Sequence, residues 1–288
     1  MKTAVIYYFS GTGNTGLVAD MVREGLERNG YRVDEFRIED ILKSGSEIHP
    51  DKYELVGIGS QVIGYGVPGL VRDFVRALPE GNGKKLFIFR TAGGVAPINY
   101  NASKPIIGKL KRKGYDVFYE RVFSIGSNWI VRFNDCIVQQ LYEATRKKVG
   151  LMCEELARDE KRVLKTSLWL RVAMAPVISG STTLLRLVGK DIVIGSECNH
   201  CGSCVRNCPA GNIYEKEGRI GFGLSCNSCM RCIYSCPRKA MDFKHLGFFK
   251  VPGGYDIRAI LGKPCGSVGE GEVRVPPFFN EYIQNDAM

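Results

Sequence analysis

The sequence contains no uninterrupted run of about 20 apolar residues, the length that a membrane-spanning helix needs. Its most apolar region, residues 166–189, is broken by Arg171, Pro176 and Arg186. Nor do the first residues form a secretory signal, because they lead directly into a strand-like pattern. We therefore expect no transmembrane segment and a cytoplasmic location. Residues 164–190 are interpreted as an apolar linker packed between domains, with a membrane-surface segment as the alternative.

Motifs of common catalytic sites are missing as well. The sequence has no recognisable Ser-His-Asp or Cys-His arrangement, no paired carboxylates suited to acid–base chemistry and no second nucleotide site. Basic residues cluster at 109–113, 146–148 and 158–165, without the interleaved aromatic residues of nucleic-acid-binding motifs. We therefore expect no nucleic-acid partner. The basic clusters are interpreted as solvated helix faces or as a docking surface for an acidic protein partner.

What the sequence has in abundance is cysteine, concentrated in one stretch. Of its 11 cysteines, eight lie within residues 198–236, in two C-x2-C-x2-C-x3-C-P runs offset by 28 residues (226 − 198 = 28). This is the ligand pattern of bacterial [4Fe-4S] clusters, in which the fourth cysteine of each run serves the other cluster. Zinc, the alternative, needs neither the third cysteine nor the proline. The expected ligand sets are Cys198, Cys201, Cys204 and Cys236 for one cluster, and Cys208, Cys226, Cys229 and Cys232 for the other.

The two runs and their prolines resemble those of bacterial-type ferredoxins that carry two [4Fe-4S] clusters. The other three cysteines, Cys136, Cys153 and Cys265, are far apart in sequence and odd in number, so we expect free thiols rather than a disulfide framework. Cys136 and Cys153 fall on a long helix pattern over about residues 136–162 and are expected in the core. Free thiols and thiolate-bound clusters both fit a reducing cytosol.

Near the start of the sequence, a strand pattern, a glycine turn and a helix pattern follow one another, an arrangement that binds anions. Residues 3–9 are apolar without alternation, which predicts a strand buried on both faces, and a helix pattern covers about residues 14–29. A glycine turn at a helix N-terminus binds phosphate. Its hydroxyl and amide side chains favour the phosphate of FMN, while the G-x-G-x-x-G spacing leaves a dinucleotide or an empty structural turn as alternatives. The candidate phosphate loop is Ser10, Gly11, Thr12, Gly13, Asn14 and Thr15.

Four further strand patterns, at about residues 31–38, 53–60, 84–91 and 117–124, alternate with helix patterns. They predict an α/β fold with a doubly wound five-stranded parallel sheet that binds its ligand at the carboxyl ends of the strands. This half of the chain resembles flavodoxin. The resemblance implies two loops beside the FMN ring, with Tyr65 as the stacking aromatic. They comprise Ser60, Gln61, Val62, Ile63, Gly64 and Tyr65, and Thr91, Ala92, Gly93 and Gly94.

In outline the chain resembles the flavodoxin–ferredoxin fusion proteins of anaerobic bacteria. The resemblance implies an FMN-binding domain at 1–163 and a small α+β ferredoxin-like domain with two [4Fe-4S] clusters at 191–245. The linker at 164–190 and the tail at 246–288, which we expect to be irregular, carry no motif that matches these proteins. We expect an electron-transfer protein that relays electrons between FMN and the clusters, to and from redox partner proteins. A flavin-dependent reductase and a redox-sensing interaction protein are the alternatives, so the sequence leaves open whether the chain is an enzyme.

Overall fold

The computed structural model describes residues 1–265 and 277–285 of the 288-residue chain. Its largest element is a five-stranded sheet built from β1 (Lys2–Phe9), β2 (Tyr31–Arg37), β3 (Leu55–Gln61), β4 (Lys85–Ala92) and β5 (Asp116–Ser124). Neighbouring strands are all parallel, in the order β2-β1-β3-β4-β5. This is the strand order of a flavodoxin-like fold, which confirms the predicted fold class and the five predicted strands.

Helices cover both faces of this sheet, because its inner strands carry apolar side chains on both sides. Val5 and Ile6, neighbours in β1, are both fully buried and belong to different hydrophobic cores. The helices on the Ile6 side are α1 (Asn14–Arg28) and α6 (Asp135–Ala157). Those on the Val5 side are α2 (Ile38–Ser44), α3 (Gly69–Ala77) and α5 (Lys104–Arg112), and a short α4 (Pro97–Tyr100) precedes α5.

Two glycines of β3 make room for two aromatic rings of β4. A Cβ atom at Gly57 would lie 2.4 Å from the ring of Phe87, and one at Gly59 would lie 2.3 Å from the ring of Phe89. Both rings are fully buried, and their centroids are 6.3 Å apart. Glycine is therefore required at these positions for space.

Residues 164–190, the predicted apolar linker, contain helix α7 (Leu168–Leu184), with Pro176 inside it. Their role as a linker remains a prediction. Only a narrow stripe of the helix, including Met174 and Ile178, is buried. The hydroxyl of Ser181 donates to the carbonyl of Gly64 over 2.6 Å, which attaches α7 to the loop after β3. Among the described residues, no helix is long and apolar enough to cross a membrane.

A small α+β module follows, as predicted. It is built from β6 (Ile192–Ile194), α8 (Ser203–Asn207), β7 (Ile213–Lys216), β8 (Arg219–Phe222), α9 (Arg231–Tyr234) and β9 (Met241–Phe243). Strand β6 pairs antiparallel with β9, and β7 pairs antiparallel with β8. The module has a hydrophobic core of its own.

The two halves of this module repeat the same backbone conformation. Left-handed φ angles recur at three pairs of positions: His200 and Ser228 (55° and 49°), Gly202 and Met230 (69° and 62°), and Gly211 and Lys239 (59° and 50°). The members of each pair are 28 residues apart, as are the two cysteine runs (228 − 200 = 28). Side chains other than glycine adopt this conformation only where the surrounding fold imposes it. The 28-residue repeat of the cysteine runs is therefore also present in the backbone.

The last described segments are helical, which corrects the expectation of an irregular tail over 246–288. Helices α10 (Ile257–Leu261) and α11 (Pro277–Gln284) both pack against α6. Phe279 and Tyr282 are 1% and 0% exposed, and the Tyr282 hydroxyl lies 2.8 Å from Oγ1 of Thr145. These contacts with α6 stabilise the helices. Residues 266–276 and 286–288 of the predicted tail lie outside the described residues.

Of the three cysteines outside the two runs, two are joined in a disulfide and one is a free thiol. Cys136 and Cys265 form a disulfide, so the expectation that both are free thiols, with Cys136 in the core, is wrong. The physical reason is the packing of α10 on α6, which brings Cys265 to the first turn of α6. Cys153 is a fully buried free thiol as expected, and its Sγ donates to the carbonyl of Val22 over 3.6 Å.

Replacing Gly57 by alanine should destabilise the fold by about 1–3 kcal/mol, because the new methyl group overlaps the buried ring of Phe87. Gly108→Ala is the matched control. Nothing lies within 4 Å of a Cβ at Gly108 in α5, so alanine should raise stability by up to about 1 kcal/mol. Urea unfolding of both variants gives the comparison. Unchanged stability of Gly57→Ala would contradict the packing between β3 and β4.

Candidate cofactor sites

The loops after β1, β3, β4 and β5 meet at the carboxyl edge of the sheet and surround a cavity of about 130 Å3. Most of the residues predicted to hold a flavin line it. They are Ser10, Gly11, Thr12, Asn14, Thr15, Gln61, Val62, Ile63, Gly64, Thr91, Ala92 and Gly93. The other predicted residues are not among its lining residues, namely Gly13, Ser60, Tyr65 and Gly94.

The turn between β1 and α1 has the features of an anion site. Gly13 is the N-cap residue with a left-handed φ of 107°, and no side chain caps the helix. The buried hydroxyl of Ser10 accepts a hydrogen bond from the Gly13 N–H over 3.2 Å. The free N–H groups and positive dipole end of the 15-residue α1 therefore lie beside Asn14 and Thr15, which line the cavity.

Hydrogen bonds tie the loops around the cavity to one another. The Gly11 N–H donates to Oε1 of Gln61 over 3.3 Å, which joins the loop after β1 to the end of β3. The hydroxyls of Thr15 and Thr91 lie 2.8 Å apart, which joins α1 to the end of β4. Thr15 and Thr91 are both buried. The loops are therefore held in position by the protein's own contacts.

The loop after β5 also lines the cavity and was not among the predicted flavin-binding loops. The Nδ2 of Asn128 donates to Oγ1 of Thr12 over 2.7 Å, so this loop is joined to the phosphate loop. Two signals could have found it, since β5 ends at the same edge of the sheet as β1, β3 and β4, and the loop carries one of the two tryptophans. Its contribution to the cavity is Gly126, Ser127, Asn128 and Trp129.

The aromatic side chain at the cavity is Trp129, whereas Tyr65 is 42% exposed. The indole Nε1 of Trp129 donates to the carbonyl of Ser228 over 3.1 Å. Its ring also packs on Phe249, with 4.5 Å between the ring centroids. Since Ser228 lies in the second cysteine run and lines the cavity as well, the small module contributes to the cavity wall.

The cysteines of the two runs lie in and next to α8 and α9. Cys201 is exposed, Cys208 is buried, and backbone N–H groups donate to the sulfur atoms. The Asn212 N–H lies 3.2 Å from Sγ of Cys208, and the Ala240 N–H lies 3.4 Å from Sγ of Cys236. These two contacts are again 28 residues apart (240 − 212 = 28). Hydrogen bonds of this kind to ligand sulfurs tune the potential of iron–sulfur clusters.

Each cysteine run has one cysteine that lies close to cysteines of the other run. Burial raises the pKa of Cys204, with a further contribution from nearby Cys198 and Cys236. Burial also raises the pKa of Cys226, and here the nearby cysteine is Cys208. Cys236 of the second run is thus close to the first run, and Cys208 of the first run is close to the second. These neighbours are compatible with the crossed ligand sets, which remain a prediction.

Within residues 1–265 and 277–285, no three His, Cys, Asp or Glu side chains are arranged to hold a single metal ion. Each of the four thiolates around a [4Fe-4S] cluster binds a different iron atom, so such ligands need not converge on one point. The two cysteine runs contain no aspartate or glutamate, and their thiols have the donor chemistry of cysteine-ligated clusters.

Arg231 attaches the second cysteine run to the phosphate loop. Its Nη2 donates to the carbonyl of Ser10 over 2.5 Å and lies 2.6 Å from Oε1 of Glu39, and its Nε donates to the carbonyl of Gly11 over 3.2 Å. Glu39 is 2% exposed, so the ion pair is largely buried. A Cβ at Gly11 would lie 2.4 Å from the carbonyl oxygen of Cys229. The two segments therefore touch backbone to backbone.

Comparison with known proteins gives results for both halves of the chain. Residues 197–241 match a family model described as a 4Fe-4S dicluster domain. No curated protein gives a match. Among solved structures, oxidised flavodoxin 1 from Bacillus cereus is 18% identical with a TM-score of 0.41, over 55% of this chain and 98% of that chain. A flavodoxin from the domain Archaea is 19% identical with a TM-score of 0.38, over 54% and 99%.

The rubredoxin oxygen:oxidoreductase from the anaerobe Desulfovibrio gigas is 16% identical with a TM-score of 0.40, over 61% of this chain and 37% of that chain. These TM-scores are low, so the fold assignment rests on the strand order of the sheet. A flavodoxin-like fold followed by an iron–sulfur domain supports a role in electron transfer.

Replacing Arg231 by methionine should lower stability by about 3 kcal/mol, because it leaves the buried carboxylate of Glu39 without its closest cation. Arg238→Met is the matched control. Arg238 pairs with Glu197 at 3.6 Å, but both side chains are more than half exposed, so its loss should cost less than about 1 kcal/mol. Urea unfolding measures both changes, and equal effects of the two substitutions would contradict the anchoring role of Arg231.

Proposed function

We propose that this protein relays electrons between an FMN bound in the cavity and two [4Fe-4S] clusters, and exchanges them with redox partner proteins. The observation that carries the proposal is the direct contact between Gly11 of the phosphate loop and Cys229 of the second cysteine run. Because electron tunnelling slows steeply with distance, a cluster ligand in contact with the flavin loop favours transfer within the chain. FMN would supply chemistry in which one or two electrons are gained or lost.

The residues around the cavity suit FMN at its phosphate end. The uncapped N-terminus of α1 and the hydroxyls of Ser10, Thr12 and Thr15 offer donors to a phosphate dianion. The ring would lie among the loops after β3, β4 and β5, beside Trp129. A cavity of about 130 Å3 is smaller than the ~300–1,000 Å3 of pockets that enclose whole ligands. An FMN bound here would therefore keep part of its ring outside the cavity.

The clusters would be held by the crossed cysteine sets, which differ in their position relative to the cavity. We call Cys208, Cys226, Cys229 and Cys232 the inner set, because Cys229 contacts the phosphate loop. The outer set is Cys198, Cys201, Cys204 and Cys236, in which Cys201 is exposed. The proposed order of the relay is thus FMN, inner cluster, outer cluster and partner protein.

The surface around the outer set suits an acidic partner. Arg206, Arg238 and Lys239 are all exposed, and each lies within three residues of a cysteine of the outer set. They outnumber the exposed carboxylate of Glu197, which is next to Cys198 and pairs with Arg238. An excess of positive charge around an exit point steers a partner of the opposite sign and sets its orientation. The acidic character of that partner, the absence of a nucleic-acid partner and the cytoplasmic location remain predictions.

Replacing Cys201 or Cys229 by serine tests the order of the relay. Each variant, purified without oxygen, should contain about four irons per chain where the parent contains about eight. In Cys201→Ser the flavin and the inner cluster should still be reduced together, as followed by stopped-flow absorbance. In Cys229→Ser the flavin and the outer cluster should be reduced at separate rates, because the connection between them is lost.

The two serine variants control for each other, since each removes one ligand of an equivalent cluster. Unchanged iron content in either variant would contradict the ligand assignment. Coupled reduction of flavin and the remaining cluster in Cys229→Ser, at the rate of the parent, would contradict the proposed order.

A further inference from the structure

Residues 161–190 combine apolar character with charge of one sign. The segment contains no aspartate or glutamate. Within it, the 17 residues of α7 include one charged side chain, that of Arg171. Helix α7 therefore lies between basic flanks, whose Lys and Arg residues are Lys161, Arg162, Lys165, Arg186 and Lys190.

Helix α7 exposes most of its apolar side chains. Trp169 is 84% exposed, Val172 is 60% exposed and Leu184 is 66% exposed. Met174 and Ile178, one turn apart, are each 9% exposed and hold the helix against the protein. A helix that is apolar on nearly all sides is normally buried, and exposed apolar patches mark interaction sites. Another surface is therefore expected to cover this helix.

A groove of about 690 Å3 lies between α7 and the helices α3 and α5. One side of the groove is apolar and is formed by α7 residues that include Leu168, Val172 and Ile178. The groove thereby joins the exposed apolar face of α7 to a row of cations. These cations are Arg72, Arg76, Lys104 and Arg171.

Several cations at this surface have no carboxylate partner. Within the described part of the chain, Arg72, Arg171 and Arg186 make no ion pair with a carboxylate. Of the other two cations of the groove, Arg76 pairs with Asp73 and Lys104 pairs with the buried Glu120. Burial lowers the pKa of Arg72, and the nearby charge of Arg186 adds to the effect. The surface around α7 therefore carries positive charge that the protein itself does not neutralise.

We propose that α7 and its basic groove bind the surface of an anionic lipid membrane. In this arrangement Trp169, Val172 and Leu184 enter the boundary between head groups and acyl chains, and the arginines face the lipid phosphates. Interfacial helices combine an apolar face carrying Trp and Leu with flanking cations, and basic residues near an anionic surface add to the attraction. Attachment of α7 through Ser181 keeps the helix lying along the protein surface.

Charge favours lipid over a second copy of the chain. In a twofold dimer, the same patch faces itself, so the unpaired arginines of the two copies would be brought together. An acidic protein would match the charge, but protein interfaces also carry hydrogen bonds, at about one per 100–200 Å2. The exposed face around Trp169, Val172 and Leu184 carries apolar side chains, which suit lipid acyl chains. This surface is independent of which cofactors the protein holds.

The test is co-sedimentation of the full-length protein, purified without oxygen, with vesicles of phosphatidylcholine alone or mixed with phosphatidylglycerol. The parent should bind the mixed vesicles, and binding should weaken as ionic strength rises. The combined change Trp169→Ser and Val172→Ser should weaken binding at least about tenfold. The combined change Arg171→Glu and Arg186→Glu should weaken it about tenfold and remove the preference for anionic vesicles.

Tyr214→Ser is the matched control, because Tyr214 is 49% exposed but lies on β7, in the small module. It should bind as the parent does, and iron content with the visible spectrum checks that every variant is folded. Equal binding to both kinds of vesicle, or none to either, would overturn the proposal. So would self-association that Trp169→Ser abolishes without vesicles, which would assign the face to a second copy. Binding to polyglutamate but not to vesicles would assign it to an acidic protein.

Discussion

Arg231 lies in the second cysteine run and donates to two carbonyl groups of the phosphate loop while pairing with the buried Glu39. Because this guanidinium is 14% exposed, its contacts are made largely out of water, where charge-assisted hydrogen bonds are strong. The position of the cysteines relative to the cavity follows from these contacts. The backbone of Cys229 can then approach Gly11 so closely that only glycine fits. The second cysteine run and the candidate phosphate loop therefore lie directly against each other.

Local sequence determines much of this fold, and those parts could be predicted. Strand β1 is apolar on both faces and the glycine turn after it leads into helix α1, so this strand, turn and helix were predictable from residues next to one another. Phosphate binding by the turn remains a prediction. The cysteine runs were recognisable for the same reason, and the left-handed φ angles at His200 and Ser228 repeat their 28-residue offset (228 − 200 = 28). Where neighbouring residues carry the signal, the predicted fold class and small α+β module were right.

Features that depend on contacts distant in sequence could not be predicted. Helix α11 is stabilised by Tyr282, whose partner Thr145 is 137 residues away. The disulfide between Cys136 and Cys265 likewise depends on packing of α10 against α6. Trp129 takes its place at the cavity because Ser228 accepts its indole N–H. The exposure of the apolar side chains of α7 could not be predicted either, because composition alone does not show which side chains the fold leaves exposed.

The central claim is that one chain holds a flavin and two clusters side by side, and cofactor content tests it most directly. Protein purified without oxygen would be analysed for iron, acid-labile sulfide and flavin per chain, together with its visible spectrum. We predict about eight irons, about eight sulfides and about one FMN per chain. Iron without flavin would contradict the proposal that FMN is bound in the cavity. Zinc in place of iron would contradict the assignment of the two cysteine runs to [4Fe-4S] clusters.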